Sequence, residues 1–281
     1  MRAQPTLMVS KFDPRIWSLR TTDGGNVLVE SRGVTGDRLV FVHGMGATRR
    51  TWQRVLAGFE RPESQLIAYD QRGHGGSRAG TMRFRFTRLV TDLEELLAGN
   101  DNGAPTTLVG HSMGAAVVMA YLAWRKPAGV VGAILANPVM AAPRGPVEKA
   151  AAQFAASPLA DRMLNMGWGR RLVLGSLLGP DADAIAREIV VSDMHKAVAR
   201  REVTAGLDGL DLGGCLSDVT VPVRLVSGAV DRAIAVSKVH HMAAGLPDAS
   251  VRIVERCGHY LPLEQPRAVL EEIAALHADR H

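Results

Sequence analysis

The 281 residues are 47% hydrophobic and 22% charged, the balance of a soluble globular chain with room for one large domain or a domain with an insertion. No run approaches ~20 consecutive apolar residues, which argues against a membrane span. A net charge of +5 from scattered arginines, without a recognisable binding module, disfavours a nucleic-acid partner.

In chain order, the opening "MRAQPTLMVSKFDPRIW" has no apolar stretch followed by a small-residue cleavage site, so a cytoplasmic protein is expected. "IWSLRTTDGGNVLVESRG" then predicts a hairpin turning at Asp23-Gly24-Gly25. Six apolar, β-rich runs follow: Arg38–Gly44, Gln65–Asp70, Thr106–Gly110, Val130–Ala136, Val223–Gly228 and Val251–Glu255. Unbroken apolar strands suit a parallel sheet covered on both faces. The segments between them carry helical spacing, as in "RLVTDLEELLAG", where Leu89, Val90, Leu93, Leu96 and Leu97 fall on one side. "RAVLEEIAAL" near the end does the same. Alternating strands and helices predict a doubly wound, mostly parallel α/β sheet.

The interval from Ala136 to Val223 is too long for a crossover. It holds helical pieces of its own: "PVEKAAAQFAAS", "RRLVLGSLL", "DADAIAREIVV" and "SDMHKAVARREV". The expected organisation is therefore a core from residues 1–139, a helical cap inserted at 140–212, and the rest of the core at 213–281.

Chemistry concentrates at strand ends. "GHSMG" puts Ser112 between Gly110 and Gly114, where a strand should meet a helix. Such a turn lifts the serine oxygen above the sheet edge and aims a helix N-terminus at any anion formed there. A serine hydroxyl needs a base, and His259 in "ERCGHYLPLEQP" is the candidate. The base needs an acid to orient it, and Asp231 in "VSGAVDR" fits. The backbone N–H groups of Met45 and Met113 are the expected oxyanion donors, with His43, Gly44 and Gly46 shaping the supporting loop. Cys215 and Cys257 lie in no C-x-x-C or ligand spacing, and no His/Asp/Glu cluster has metal spacing. Neither a disulfide framework, a metal nor any cofactor is expected.

"FVHGMG", "YDQRGHGGS", "GHSMG", the acid loop at Asp231 and "GHYLPLEQP" together resemble the α/β-hydrolase superfamily, in order and approximate spacing, across essentially the whole chain. The resemblance implies an eight-stranded sheet with an inserted helical cap and a serine nucleophile. Relatives with dehalogenase or epoxide-hydrolase chemistry carry aspartate where this chain has Ser112. In some members the acid comes from the end of the preceding strand, which here reads "LANPVM" and offers Asn137 but no carboxylate. His43 is read as a brace for the oxyanion loop, and Arg72 and His74 as residues that hold their own loop together.

The expected activity is cleavage of a carboxylic ester of a small to medium hydrophobic substrate through an acyl-enzyme. Thioester, lactone or C–C cleavage are the alternatives, as are a non-hydrolytic lyase or cyclase and a ligand receptor on the same fold. Met163, Met166, Trp168 and His195 in the cap are candidate substrate contacts. Arg49 and Arg50 are read as surface arginines or, alternatively, as receivers of an anionic substrate arm. The expected partner is a small ester-like molecule, with no nucleic acid and no membrane span, and the chain a monomer or homodimer.

Overall fold

The computed structural model describes residues 13–279 apart from 62, 83, 143–144, 156 and 197–199. Among the described residues one eight-stranded sheet runs through the molecule. Its strands are β1 (Arg15–Arg20), β2 (Asn26–Arg32), β3 (Asp37–Val42), β4 (Ser64–Tyr69), β5 (Thr106–His111), β6 (Val130–Ala136), β7 (Val223–Gly228) and β8 (Ala249–Val254). Their spatial order is β1-β2-β4-β3-β5-β6-β7-β8. β1 and β2 form the expected antiparallel hairpin, and β2 joins β4 antiparallel. Every other pair is parallel.

The helices are α1 (Gln53–Ala57), α2 (Phe86–Gly99), α3 (Met113–Arg125), α4 (Pro146–Ala155), α5 (Pro158–Asn165), α6 (Gly167–Leu177), α7 (Ala184–Lys196), α8 (Arg200–Gly206), α9 (Val236–Gly245), α10 (Leu261–Glu264) and α11 (Pro266–Ala278). None that is described is long and apolar enough to cross a membrane. Alternate residues of the central strands feed two cores. Val40, Val42 and Leu108 face α2 and α3, while Leu39, Phe41 and Val109 face α1 and α11. Burial on both faces is why these strands read as continuous apolar runs.

From β3 the chain winds one way to β4 and the other way through β5 to β8. The switch point lies between β3 and β5, and open α/β sheets build sites in the crevice at the carboxyl ends of such strands. The oxyanion-loop candidate leaves β3 there and Ser112 leaves β5.

Helices α4 to α8 all lie between β6 and β7, and an isolated bridge, Ala141 to Asp211, joins the two ends of that interval. Two details differ from the sequence reading. α5 is absent from the sequence reading; Ser157 starts it, accepting from the Ala160 N–H at 3.3 Å, with Pro158 in its first turn. The expected break at Ser192 is absent, since α7 runs unbroken from Ala184 to Lys196. The side chains that look like a helix start are used elsewhere: Ser192 Oγ accepts from Arg50, and Asp193 accepts from Thr48.

Candidate active site

Ser112 sits between β5 and α3 at φ 53°, ψ −117°, a strained conformation for a residue with a Cβ. The neighbouring glycines make the turn possible. A Cβ on Gly110 would lie 2.6 Å from Ala115 Cα, and one on Gly114 would strike the carbonyls of Val42 and His43. The loop after β3 approaches equally closely, since a Cβ on Gly44 would lie 2.9 Å from that of Ser112.

His259 follows β8 and Asp231 follows β7. The structure brings all three predicted side chains together. Ser112 Oγ is 3.0 Å from His259 Nε2, and His259 Nδ1 is 2.8 Å from Asp231 Oδ2. Nδ1–H donates to the carboxylate, which leaves the Nε2 lone pair facing the serine hydroxyl. Asp231 is saturated with donors: Oδ2 also accepts from Asn137 Nδ2 at 2.7 Å, and Oδ1 accepts the N–H groups of Ala233 and Ile234 at 2.7 and 3.0 Å. Burial opposes ionisation of this carboxyl, but the His259 hydrogen bond and charge and the two amides outweigh it and hold its pKa below the ordinary value.

Asn137 is the residue that sequence reasoning passed over. The sequence marks it only as the place where no carboxylate stands. In the structure it adopts φ 46° at the end of β6 and also donates toward Ser227 Oγ at 3.3 Å and Gly258 O at 3.2 Å. An asparagine at a strand end, tolerant of the left-handed region, was the available signal.

Met113 opens α3, so its amide is among those with no acceptor inside the helix. Met45 lies in the loop braced by two buried imidazoles. His43 Nε2 accepts the Gln71 N–H at 2.8 Å, so its Nδ1–H donates to Gly44 O at 2.7 Å. His74 Nε2 accepts the Gly46 N–H at 3.2 Å, so its Nδ1–H donates to Arg72 O at 3.1 Å. Burial holds the His43 pKa well below normal, so His43 is a neutral strut. His111 is also neutral: burial, aided by the His259 charge, brings its pKa down to about 3, and it donates Nε2–H to His259 O at 2.7 Å.

The exit of the β3 loop is tied to α7. Asp193 Oδ2 accepts from Thr48 N–H at 3.1 Å and Thr48 Oγ1 at 2.7 Å. Arg50 pairs with Asp193 at 3.5 Å, and Arg49 with Asp70 at 2.8 Å. Both arginines of the sequence reading are thus engaged in internal ion pairs. Cys257 is fully buried, and burial raises its pKa, which keeps it a thiol.

The candidate substrate contacts are placed unevenly. Trp168 and Met166 are 63% and 47% exposed, His195 is exposed at the end of α7, and Met163 is half-buried in α5. The residues between β6 and β7 that pack beside the site loops are Leu174, Leu178, Ile189 and Val190, in one cluster with Ala47 and Tyr260.

Comparison with known proteins agrees with this architecture. Residues 39–272 match the model of the Alpha/beta hydrolase family. "Lipase 3" of Moraxella sp. (strain TA144) is 33% identical over 116 residues, 41% of this chain and 36% of that protein, so the match spans about a third of that relative's length. The human "Monoglyceride lipase" is 30% identical over 252 residues, 83% of this chain and 78% of the relative. Among solved structures, the esterase EaEST from Exiguobacterium antarcticum superposes with a TM-score of 0.80 at 19% identity, covering 92% of this chain and 97% of that one, a likeness of fold. A match over most of the chain, on a doubly wound sheet with a strained strand–turn–helix at its switch point, makes this chain a member of the Alpha/beta hydrolase family.

Proposed function

We propose that the chain is a cofactor-free serine hydrolase that cleaves a carboxylic ester of a small to medium hydrophobic substrate. The observation that carries this is the unbroken relay from Ser112 Oγ through His259 to Asp231, at 3.0 and 2.8 Å. The names of the lipase relatives support the ester reading.

In the proposed mechanism Ser112 Oγ attacks the carbonyl carbon as its proton passes to His259 Nε2. Asp231 stabilises the imidazolium and holds the ring. The oxyanion lies at the Met45 and Met113 amides, each such donor typically contributing ~3 kcal/mol to lowering the barrier. On collapse the C–O bond to the alcohol breaks, and His259 returns the proton to the departing oxygen. Water then attacks the acyl-enzyme carbonyl, giving its proton to His259; on collapse the bond from the acyl carbon to Ser112 Oγ breaks, His259 returns the proton to Oγ, and the acid product leaves. The segment 140–212 is proposed as the cap over this crevice, with the apolar part of the substrate against it.

The test is a panel of p-nitrophenyl esters and acyl thioesters graded by chain length, run with the parent and Ser112→Ala. The expected result is a loss of more than ~10³-fold in kcat/KM for the variant, together with loss of fluorophosphonate labelling. Equal rates for variant and parent would overturn the proposal. Preference for thioesters over matched oxygen esters would move the substrate class while leaving the mechanism intact.

A further inference from the structure

The loop carrying His259 is held from outside the sheet. The His259 N–H donates to Leu177 O at 2.6 Å, at the last residue of α6. Glu264, in α10, reaches back over the same loop. Its Oε2 accepts the N–H of Gly258 at 3.0 Å and of Gly179 at 2.6 Å, and its Oε1 accepts the N–H of Tyr260 at 3.1 Å. One carboxylate therefore binds the amides on both sides of His259 and an amide just beyond α6. The two segments touch without side chains between them: a Cβ on Gly258 would lie 2.5 Å from Gly179 N and 2.6 Å from Leu178 C. Burial raises the Glu264 pKa, and the three amide hydrogen bonds offset that only in part. Only a carboxylate supplies acceptor lone pairs on both oxygens in this arrangement.

We propose that Glu264 is a positioning residue for His259, and that through Gly179 it makes the end of α6 part of the support of the base. The proposal rests on the serine-hydrolase reading. The base must sit within hydrogen-bond reach of Ser112 Oγ and of Asp231 at once, and nothing in β8 itself sets that distance. The loop after β8 is anchored by Glu264, Leu177 O, His111 and Asn137, by the Val230 N–H on Cys257 O, and by the Arg256–Asp181 pair. Leu177, Asn137 and Asp181, and Glu264 through Gly179, tie the loop to the interval between β6 and β7.

The experiment measures kcat per fluorophosphonate-titratable site, KM, melting temperature and the far-downfield proton resonance of His259 Nδ1–H in Glu264→Ala, Glu264→Gln and Gly179→Ala. A misplaced base is expected to lower kcat per site about 10²-fold in Glu264→Ala, with KM within about threefold. Its downfield resonance should broaden or vanish. Glu264→Gln keeps one acceptor oxygen but sets its NH2 against at least one amide N–H, and its rate is expected to fall between those of the parent and Glu264→Ala. A Cβ on Gly179 would lie 2.9 Å from Glu264 Oε2 and would strike the Arg256 carbonyl, so Gly179→Ala should lose rate as Glu264→Ala does. The two losses should be non-additive when combined. If Glu264→Ala does not fold, the contrast between Glu264→Gln and Gly179→Ala carries the test.

A purely structural Glu264 would lower the melting temperature and leave kcat per titratable site and the resonance unchanged; that result overturns the proposal. A parent enzyme with neither labelling nor a downfield resonance would instead remove the serine-hydrolase reading on which it stands.

Discussion

Ser112 is held in a backbone conformation that side chains avoid, and the surrounding chain enforces it. Its carbonyl accepts from Ala115 and Ala116, its N–H donates to Ala136 O, and the glycines on either side admit the contacts. Strain of this kind costs of order 1–3 kcal/mol and persists where neighbouring structure over-determines it. Asp231 illustrates the opposite economy, a buried charge with every oxygen occupied. Asp231→Asn should preserve the fold yet lower kcat about 10⁴-fold, because the amide favours the wrong imidazole tautomer. Steady-state kinetics beside a fluorophosphonate titration would check it, and an effect under tenfold would contradict the assigned role. Asn137→Ala removes one of the four donors to Asp231 and an anchor of the His259 loop. A kcat loss of about 10- to 100-fold is expected, smaller than for Asp231→Asn.

At the level of elements, two ion-pair systems attach peripheral pieces to the sheet. The first is buried and ties the β1–β2 turn to α2. Arg72 pairs with Asp23 at 3.0 Å and with Asp92 at 2.5 Å, and Arg88 pairs with Asp92 at 2.8 Å and Glu95 at 2.6 Å. Arg72 and Arg88 are almost fully buried. Asp92→Ala would leave both guanidinium groups short of a partner, with an expected loss of 3–5 kcal/mol, on the order found when one member of a buried pair is removed. Urea unfolding would measure it, and a change below about 1 kcal/mol would show that water or Asp23 takes over. The second system runs from α7 to the β3 loop through Asp193 and Thr48. Arg88 with Asp92 and Glu95 is a pairing within α2, but the links between elements span 20 to 145 positions, and no local pattern announces those.

For the molecule as a whole, two neutral buried imidazoles, His43 and His111, couple stability to pH. Their folded pKa values are depressed, that of His111 to about 3, while the unfolded chain titrates near ~6.5. Below that pH the unfolded state binds protons that the folded state excludes, so stability is fully present above ~6.5 and is lost as pH falls. Each group contributes a slope of up to about 1.4 kcal/mol per pH unit. Unfolding free energy should therefore decline between pH 7 and pH 5, and His111→Asn should flatten the slope by about one proton. A pH-independent unfolding free energy over that range would refute this.

The strands and the strand–turn–helix at Ser112 were readable because they depend on residues adjacent in the chain, where apolar runs and paired glycines leave a local mark. The order of Ser112, Asp231 and His259 was readable because each follows a strand end. Other features escaped. α7 passes through Ser192 because the capping groups there bond to Arg50 and Thr48 instead of to their own helix. Asn137 and Glu264 carry no motif that names their partners. Which side chains stand at the rim follows from short-range pattern in the chain. Which donors surround Asp231, and which helix end steadies His259, depends on strand order and on contacts closed over tens to hundreds of residues, and such pairings exist only once the sheet has assembled.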